Sequence, residues 1–391
     1  MSLMIVGSSV AGVSTARHLR AAGFDEPITM IGEERHKPYD KPPLTKAMLA
    51  ADGDGAPTSL VSDEDLARFA IDLRLGTRAT ALDPVRRLVT FNAGPEIGYE
   101  HLVIATGVTP RRLPGMDGLA GVHTIRTADD AFDLRSELVR EPSVVVIGAG
   151  FIGAEFAAAA HLHGCQVSVV EAQNTPMANI VGDEVGSLLS NLHAVHGVHL
   201  ITGATVSRFE GQDRVTAVVL EDGRTIPADL VVVGIGAAPA TDWLATSGLP
   251  IANGVECDDQ LRVVGFPGIY AAGDVACRPH PHYDGSVRIE HWTSATEHGE
   301  VVAASIMQQP IRPPAIPYVW SDQYGHRIQI IGRPSAGTLA TLSGDACNRL
   351  AAFYGDASGV LVGAVVVDDP RLMLRSRKAI ASRAPVNDLT A

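Results

Sequence analysis

Residues 143–171 read SVVVIGAGFIGAEFAAAAHLHGCQVSVVE, and this stretch decides the fold. Ser143 to Ile147 is of strand length and, from Val144 on, a continuous apolar, β-branched run. Gly148-Ala149-Gly150-Phe151-Ile152-Gly153 follows, then a helical pattern from Ala154 to His163. A second strand, Val167 to Val170, ends on Glu171, 23 residues after Gly148. Strand, glycine loop, helix, strand and terminal acid form a βαβ unit suited to a dinucleotide. The glycines allow the tight turn and the close packing of helix on strand. The helix N-terminus offers free N–H groups and a positive dipole end to a pyrophosphate.

A carboxylate at Glu171 can accept hydrogen bonds from a ribose diol, and it would repel a 2′-phosphate. The following Ala172-Gln173-Asn174-Thr175 supply no cation, so the stretch favours NADH over NADPH. A second copy lies near the start of the chain. Leu3 to Val6 is a strand signal, Gly7-Ser8-Ser9-Val10-Ala11-Gly12 the loop, and a helical pattern runs through Ala22. The strand Ile28 to Ile31 ends at Gly32-Glu33-Glu34, with Glu33 26 positions after Gly7. Ser9 replaces the middle glycine. By itself this copy reads equally well as an ordinary βαβ turn.

The chain has 391 residues, enough for two to three domains. With 46% hydrophobic and 19% charged residues its profile is globular, and a net charge of −13 disfavours nucleic acid and anionic membrane surfaces as partners. The apolar run Leu3 to Val13 has no basic residue before it and is broken by Gly7 and Gly12, so it does not read as a signal peptide. Val144 to Ala160 contains three glycines and Glu155, which describe a strand, turn and helix rather than a membrane span. A cytoplasmic location is the expectation. The histidine pairs His161/His163 and His280/His282 have no matching third ligand and read as surface or loop residues, so no metal site is expected.

Two nucleotide sites in one chain point to a relay between two cofactors. Glu100 to Gly107 (EHLVIATG) is a strand ending in Ala105-Thr106-Gly107, and Gly268 to Asp274 (GIYAAGD) is another. A carboxylate at Asp274, beside the side-chain-free Gly273, suits a polyol hydroxyl next to a pyrophosphate. Around an inserted second nucleotide unit, these segments mark the first cradle as the flavin site.

Several further motifs stand out: Pro38-Tyr39-Asp40-Lys41-Pro42-Pro43-Leu44-Thr45-Lys46, Thr124-Ile125-Arg126-Thr127, Gly150-Phe151-Ile152-Gly153-Ala154-Glu155, Glu290-His291-Trp292 and Trp320-Ser321-Asp322-Gln323-Tyr324. On these, over nearly its whole length, the sequence resembles the FAD-dependent pyridine-nucleotide oxidoreductases of the glutathione-reductase structural type. Within them it most resembles the NADH-dependent ferredoxin reductases of bacterial oxygenase systems. The resemblance implies an α/β protein with two Rossmann-like dinucleotide-binding domains and a small α+β C-terminal domain. It implies FAD held by Gly7, Ser9, Ala11, Gly12, Glu33, Lys41, Lys46, the backbone around Ala79, Thr106, Gly107, Arg111, Arg126, Gly273 and Asp274, with Trp292 bordering the flavin. NADH would lie on Gly148, Gly150, Phe151, Ile152, Gly153, Glu171 and Gly236. Lys46 and Glu155, the catalytic pair, would form an ion pair beside flavin N5, where the nicotinamide docks. Departures from the family pattern are Ser9, Thr45 where Ser is commoner, and Lys41 where Arg is commoner. Each of these residues also has a plainer alternative: Lys46 as a solvated loop lysine, Glu155 as a helix N-terminal carboxylate favoured by the dipole, and Trp292 and Trp320 as core aromatics.

Cys165, Cys257, Cys277 and Cys347 are scattered, with no CxxC pair, and residues 36–50 (HKPYDKPPLTKAMLA) contain none. Related disulfide reductases carry reactive cysteines after the first βαβ unit or in the second nucleotide domain. Their lack here leaves hydride transfer from NADH to the flavin, then export of single electrons to a separate carrier. A 2Fe–2S ferredoxin serving a haem monooxygenase or Rieske dioxygenase is the expected acceptor. Rubredoxin, or a role as an NADH redox sensor resembling apoptosis-inducing factor, are the alternatives.

The expected organisation is an FAD domain of residues 1–112 and 237–308, an NADH domain of 113–236, and a C-terminal domain of 309–391 beginning at the proline-rich 310–314. Strand-like runs at 327–332, 349–354 and 359–367 precede a basic helical segment containing Arg371, Arg375, Arg377 and Lys378. In an acidic chain this segment suits an acidic ferredoxin; cations also simply favour the end of a last helix.

Overall fold

The computed structural model describes residues 2–53 and 55–390. The chain divides into two compact units, Met1–Asp40 with Thr58–Thr109 and Ala238–Pro317, and Lys41–Pro57 with Pro110–Ala237 and Tyr318–Ala391.

In the first unit the expected strand Leu3–Val6 is central to a five-stranded sheet, in the order Ile269–Ala271, His101–Ile104, Leu3–Val6, Ile28–Ile31, Ile71–Arg74. All four pairings are parallel, with Leu3 level with Ile28 on one side and His101 on the other. Every residue of Leu3–Val6 is buried, as a parallel strand covered on both faces requires. Helix Val10–Ala21 packs closely on helix Trp292–Ile306. A Cβ on Gly299 would lie 2.5 Å from Ser14 Cβ, and Ser14 Oγ donates to Thr296 O at 2.7 Å. A small antiparallel sheet, Ala79–Asp83, Leu88–Phe91 and Ile97–Gly98, sits within the crossover before His101.

The second unit repeats the plan. Its five-stranded parallel sheet runs His199–Ile201, Gln166–Val170, Ser143–Ile147, Leu230–Val233, Val122–His123. The glycine-loop strand is again central, with a three-stranded antiparallel insertion, Val206–Gly211, Val215–Leu220 and Thr225–Pro227. Helix Phe151–Leu162 begins three residues before the expected Ala154, because Phe151, Ile152 and Gly153 of the loop are already helical, with the extended Gly150 as the N-cap. In both sheets the loop strand stands where the strand order reverses, the position at which open α/β sheets bind ligands beyond their carboxyl ends.

The C-terminal part of this unit is an antiparallel sheet in the order Tyr318–Gln323, His326–Gly332, Leu361–Val367, Asn348–Gly355, Thr338–Asp345. Three strands match the expected runs. Tyr318–Gln323 and Thr338–Asp345 are additional, and both are edge strands. Ile328, Ile330, Ala352, Tyr354, Val365 and Val367 form one core with Val185, Leu189 and Leu192 of helix Asp183–Val195. The basic segment is helix Pro370–Ala381, N-capped by Asp369, whose carboxylate accepts from the N–H groups of Arg371 and Leu372. Among the described residues no helix is long and apolar enough to cross a membrane.

Candidate functional site

The two glycine loops show which glycines the chain itself demands. In the first, Gly7 has φ +120°, and a Cβ there would lie 2.0 Å from Ala105 O. A Cβ on Gly12 would lie 2.1 Å from Gly7 O and 3.2 Å from Ile5 Cγ2. In the second, Gly148 has φ +98° with Gly234 O at 2.4 Å from its virtual Cβ, and Gly153 meets Gly148 O at 1.9 Å. Turn and helix–strand contact therefore exclude side chains at the first and third positions.

Gly150 differs. Its φ and ψ of −75° and −174° suit any residue, and a Cβ would meet no protein atom within 4 Å. The space over it is free for a pyrophosphate. Neither fingerprint helix has a side-chain cap or an acid in its first turn, whereas helix Ala128–Leu138 is closed by a Thr127–Asp130 capping box. Helix N-termini left in this state satisfy their N–H groups with an external acceptor. Both loops thus fit dinucleotides. Ser9, in the middle position of the first loop, is extended (φ −107°, ψ −159°) and makes no capping bond.

Glu171 is buried. Its Oε2 accepts the Ala149 N–H of the loop at 2.7 Å and its Oε1 the Gln173 N–H at 2.9 Å. The carboxylate is fixed by backbone, with further lone pairs for a ribose diol. Its counterpart Glu33 is exposed, with Arg78 Nε 3.7 Å away. The two terminal acids are unequal.

Within the second unit, Lys46 Nζ lies 2.7 Å from Glu155 Oε2. Glu155 is only 4% exposed, and four donors from two segments offset its desolvation. Oε2 also accepts from Thr45 Oγ1. Oε1 accepts from Ser321 Oγ at 2.8 Å and from the Asp322 N–H at 3.1 Å. Lys46 stands between two short 3-10 turns, Pro42–Thr45 and Ala47–Leu49. The second is tethered by His163 Nε2 against Leu49 O at 2.6 Å. Beyond it Arg135 donates to Gly53 O. Sequence reasoning named Lys46 and Glu155 but gave Ser321 no role, since nothing local links residues 155 and 321.

The other expected site residues divide between the units. The first holds Gly7, Ser9, Ala11, Gly12, Glu33, Ala79, Thr106, Gly107, Gly273, Asp274 and Trp292; the second holds Lys41, Lys46, Arg111, Arg126 and the NADH residues through Gly236. Thr106 Oγ1 donates to Ala240 O at 2.8 Å. Trp292 Nε1 donates to Asp40 Oδ1 at 2.6 Å, so this tryptophan is orientated from outside the core. Gly273 N–H donates to His298 Nδ1 at 3.1 Å. Burial pushes the His298 imidazole down to about 3, which keeps it neutral and able to accept. Lys41 Nζ donates to Arg126 O at 3.4 Å, and Arg111 N–H to Gly236 O at 2.9 Å. His280, read as a surface or loop residue, is instead buried on strand Ala276–His280 and stacks on Tyr283 at 4.8 Å.

Among the described residues no disulfide is formed. Cys165, Cys257 and Cys277 are buried, and Cys347 is exposed. Burial pushes the Cys257 thiol up to about 12 and that of Cys165 to about 11, so neither offers a reactive thiolate. On the C-terminal helix Arg371, Arg375 and Lys378 are exposed, Arg377 is half-buried, and the exposed Leu374 lies among them.

Residues 1–299 match the family described as pyridine nucleotide-disulphide oxidoreductase, and residues 318–390 that described as reductase C-terminal. The chain is 35% identical to rhodocoxin reductase of Rhodococcus erythropolis, over 99% of this chain and 91% of that one. It is 34% identical to the ferredoxin–NAD(+) reductase component of the biphenyl dioxygenase system of Paraburkholderia xenovorans, over 88% and 84%. Among solved structures, the covalent putidaredoxin reductase–putidaredoxin complex superimposes with a TM-score of 0.94 at 32% identity, covering 100% of this chain and 95% of that one. The chain thus belongs to the pyridine nucleotide-disulphide oxidoreductases and carries the reductase C-terminal domain.

Proposed function

We propose that the protein is an NADH-dependent ferredoxin reductase, taking electrons from NADH through FAD and passing them singly to a 2Fe–2S ferredoxin that serves a haem monooxygenase or a Rieske dioxygenase. FAD and NAD(H) are its cofactors. The observation that carries the assignment is the pair of dinucleotide cradles in a chain whose three buried cysteines are held as thiols. FAD, when bound, accepts a hydride and releases its electrons one at a time.

The chain's own residues bind, orient and steer. Gly7, Ser9, Ala11 and Gly12 receive the FAD pyrophosphate, and Gly273 and Asp274 the neighbouring polyol. Thr106, Gly107, Arg111, Arg126, Lys41, Glu33 and the backbone of Ala79 complete that site, with Trp292 against the ring. Gly148 to Gly153 receive the NADH pyrophosphate, Glu171 the adenosine ribose, and Gly236 lies on the same path. Lys46, oriented by Glu155, has three donors. Glu155 takes one and Pro42 O another, at 3.4 Å, which leaves a third for the nicotinamide–flavin contact. Arg371, Arg375, Arg377 and Lys378 attract an acidic ferredoxin. We place the protein in the cytoplasm, and assign 1–112 with 237–308 to FAD, 113–236 to NADH and 309–391 to the C-terminal domain.

Steady-state reduction of a panel of iron–sulfur carriers, with NADH and NADPH in parallel, tests the assignment. Rapid NADH-driven reduction of a 2Fe–2S ferredoxin is expected. Turnover with rubredoxin alone, or a reduced protein that reoxidises slowly with every carrier, would overturn it.

A further inference from the structure

The motif Trp320-Ser321-Asp322-Gln323-Tyr324 has no part in either cradle. It forms most of the edge strand Tyr318–Gln323 of the C-terminal sheet and the turn after it. Ser321 is fully buried and Gln323 nearly so. Ser321 Oγ accepts from Gln323 Nε2 at 3.0 Å and donates its one proton to Glu155 Oε1 at 2.8 Å. Beside it the Asp322 N–H reaches the same oxygen at 3.1 Å. Asp322 is held in turn by Arg327, at 2.7 and 3.1 Å. Tyr324 closes the turn, its hydroxyl 2.7 Å from His193 Nδ1 on helix Asp183–Val195. Residues 321–324 are thus tied down inside the second unit.

From this geometry we infer that Ser321, oriented by Gln323, is a positioning residue for hydride transfer. The C-terminal sheet aims the Glu155 carboxylate, and the carboxylate aims Lys46. The terminal torsion of a glutamate is otherwise broad. Here one oxygen is held by the Thr45–Lys46 segment and the other by the Ser321–Asp322 segment, so the carboxylate cannot turn without breaking bonds on both sides. Glu155 is an acceptor in all four contacts. Its part is to hold an ammonium in place, and the C-terminal domain contributes to flavin reduction as well as to docking.

The inference rests on the proposed placement of Lys46 at the nicotinamide–flavin contact, and the test separates the two. In the FAD-loaded enzyme, Ser321→Ala, Glu155→Gln, the double variant and Lys46→Met are compared by stopped-flow reduction with NADH, flavin midpoint potential and thermal unfolding. Loss of a hydroxyl donor to a charged group slows the limiting rate about tenfold. It shifts the potential negative and leaves the NADH dissociation constant within about twofold of wild type. In the Glu155→Gln background, Ser321→Ala should add less than about twofold, because the group it acts through has lost its charge. Gln323→Leu, which keeps the hydroxyl but frees its orientation, should act in the same direction and covers the case of a poorly folded Ser321→Ala. Equal losses in both backgrounds, or losses that follow melting temperature with the potential unmoved, would overturn the inference. If Lys46→Met itself leaves rate and potential unchanged, the placement of Lys46 fails instead.

Discussion

Replacing Gly150 and Gly153 in turn by alanine separates the demands of the fold from those of the ligand. At Gly150 the backbone already has an extended conformation open to any residue, and the new methyl meets no atom within 4 Å. The cost to the unliganded protein is then only the poorer N-cap preference of alanine over glycine, at most about 1 kcal/mol. At Gly153 the methyl would lie 1.9 Å from Gly148 O and 3.2 Å from Val146 Cγ1. Neither neighbour can move without displacing the loop or the central strand, so a destabilisation of about 3 kcal/mol is expected. Binding inverts the order. A pyrophosphate must come within hydrogen-bond distance of the loop N–H groups, and a methyl on Gly150 fills that approach. Lengthening two charge-assisted bonds costs about 3 kcal/mol, or roughly a hundredfold in dissociation constant. Anaerobic NADH titration of the FAD-loaded protein, with thermal unfolding of the same samples, reads both quantities. A Gly150→Ala variant that binds NADH within about threefold of wild type would refute the assignment of this loop.

Other perturbations reach separate parts of the molecule. Glu171 should make NADH preferred to NADPH by about a hundredfold in kcat/KM, about 3 kcal/mol of discrimination; Glu171→Ala, which also frees the Ala149 and Gln173 N–H groups, should erode that ratio, and equal rates in the wild type would contradict the role. Double charge reversal at Arg375 and Lys378 should slow ferredoxin reduction about tenfold at low salt and little at high salt, while NADH-driven ferricyanide reduction is unchanged; an unaltered salt dependence would dismiss the docking face. Burial pushes His193 down to about 4 and His298 to about 3, from 6.5. Each is neutral when folded and charges on unfolding, so its stabilisation is complete above pH 6.5 and is lost at about 1.4 kcal/mol per unit as pH falls toward those values. Denaturant titrations at pH 7 and pH 5 should show the loss, and His298→Gln should flatten it; an identical slope in the variant would count against the assignment.

Much of this was legible in the sequence where signals are local. A buried parallel strand must be apolar on both faces, so Leu3–Val6 and Ser143–Ile147 announce themselves. The first and third loop glycines are legible because backbone contacts at about 2 Å leave no alternative residue. The edge strands Tyr318–Gln323 and Thr338–Asp345 were not legible. An edge of an antiparallel sheet is half solvated or carries polar side chains for particular partners, so neither run shows the apolar signature of a central strand. His280 was hidden for a related reason. Its proline neighbours read as a loop, whereas pairing of Ala276–His280 with Tyr283–Arg288 buries it.

Glu155 shows what a sequence pattern and a fold each contribute. From the pattern alone, a carboxylate early in a helix is explained by the dipole. In the structure it is the fifth residue of helix Phe151–Leu162, past the turn in which that attraction is felt, and it is buried. A buried carboxylate in that position is costly unless donors surround it. The four donors come from residues 45–46 and 321–322, one segment more than a hundred residues before Glu155 and the other more than 160 after it. Neither segment alone satisfies both oxygens. The residue is therefore tolerable only once the segment 41–57 and the C-terminal sheet have both closed on the helix. Loosening either one should change how Lys46 is presented before it changes whether the protein folds.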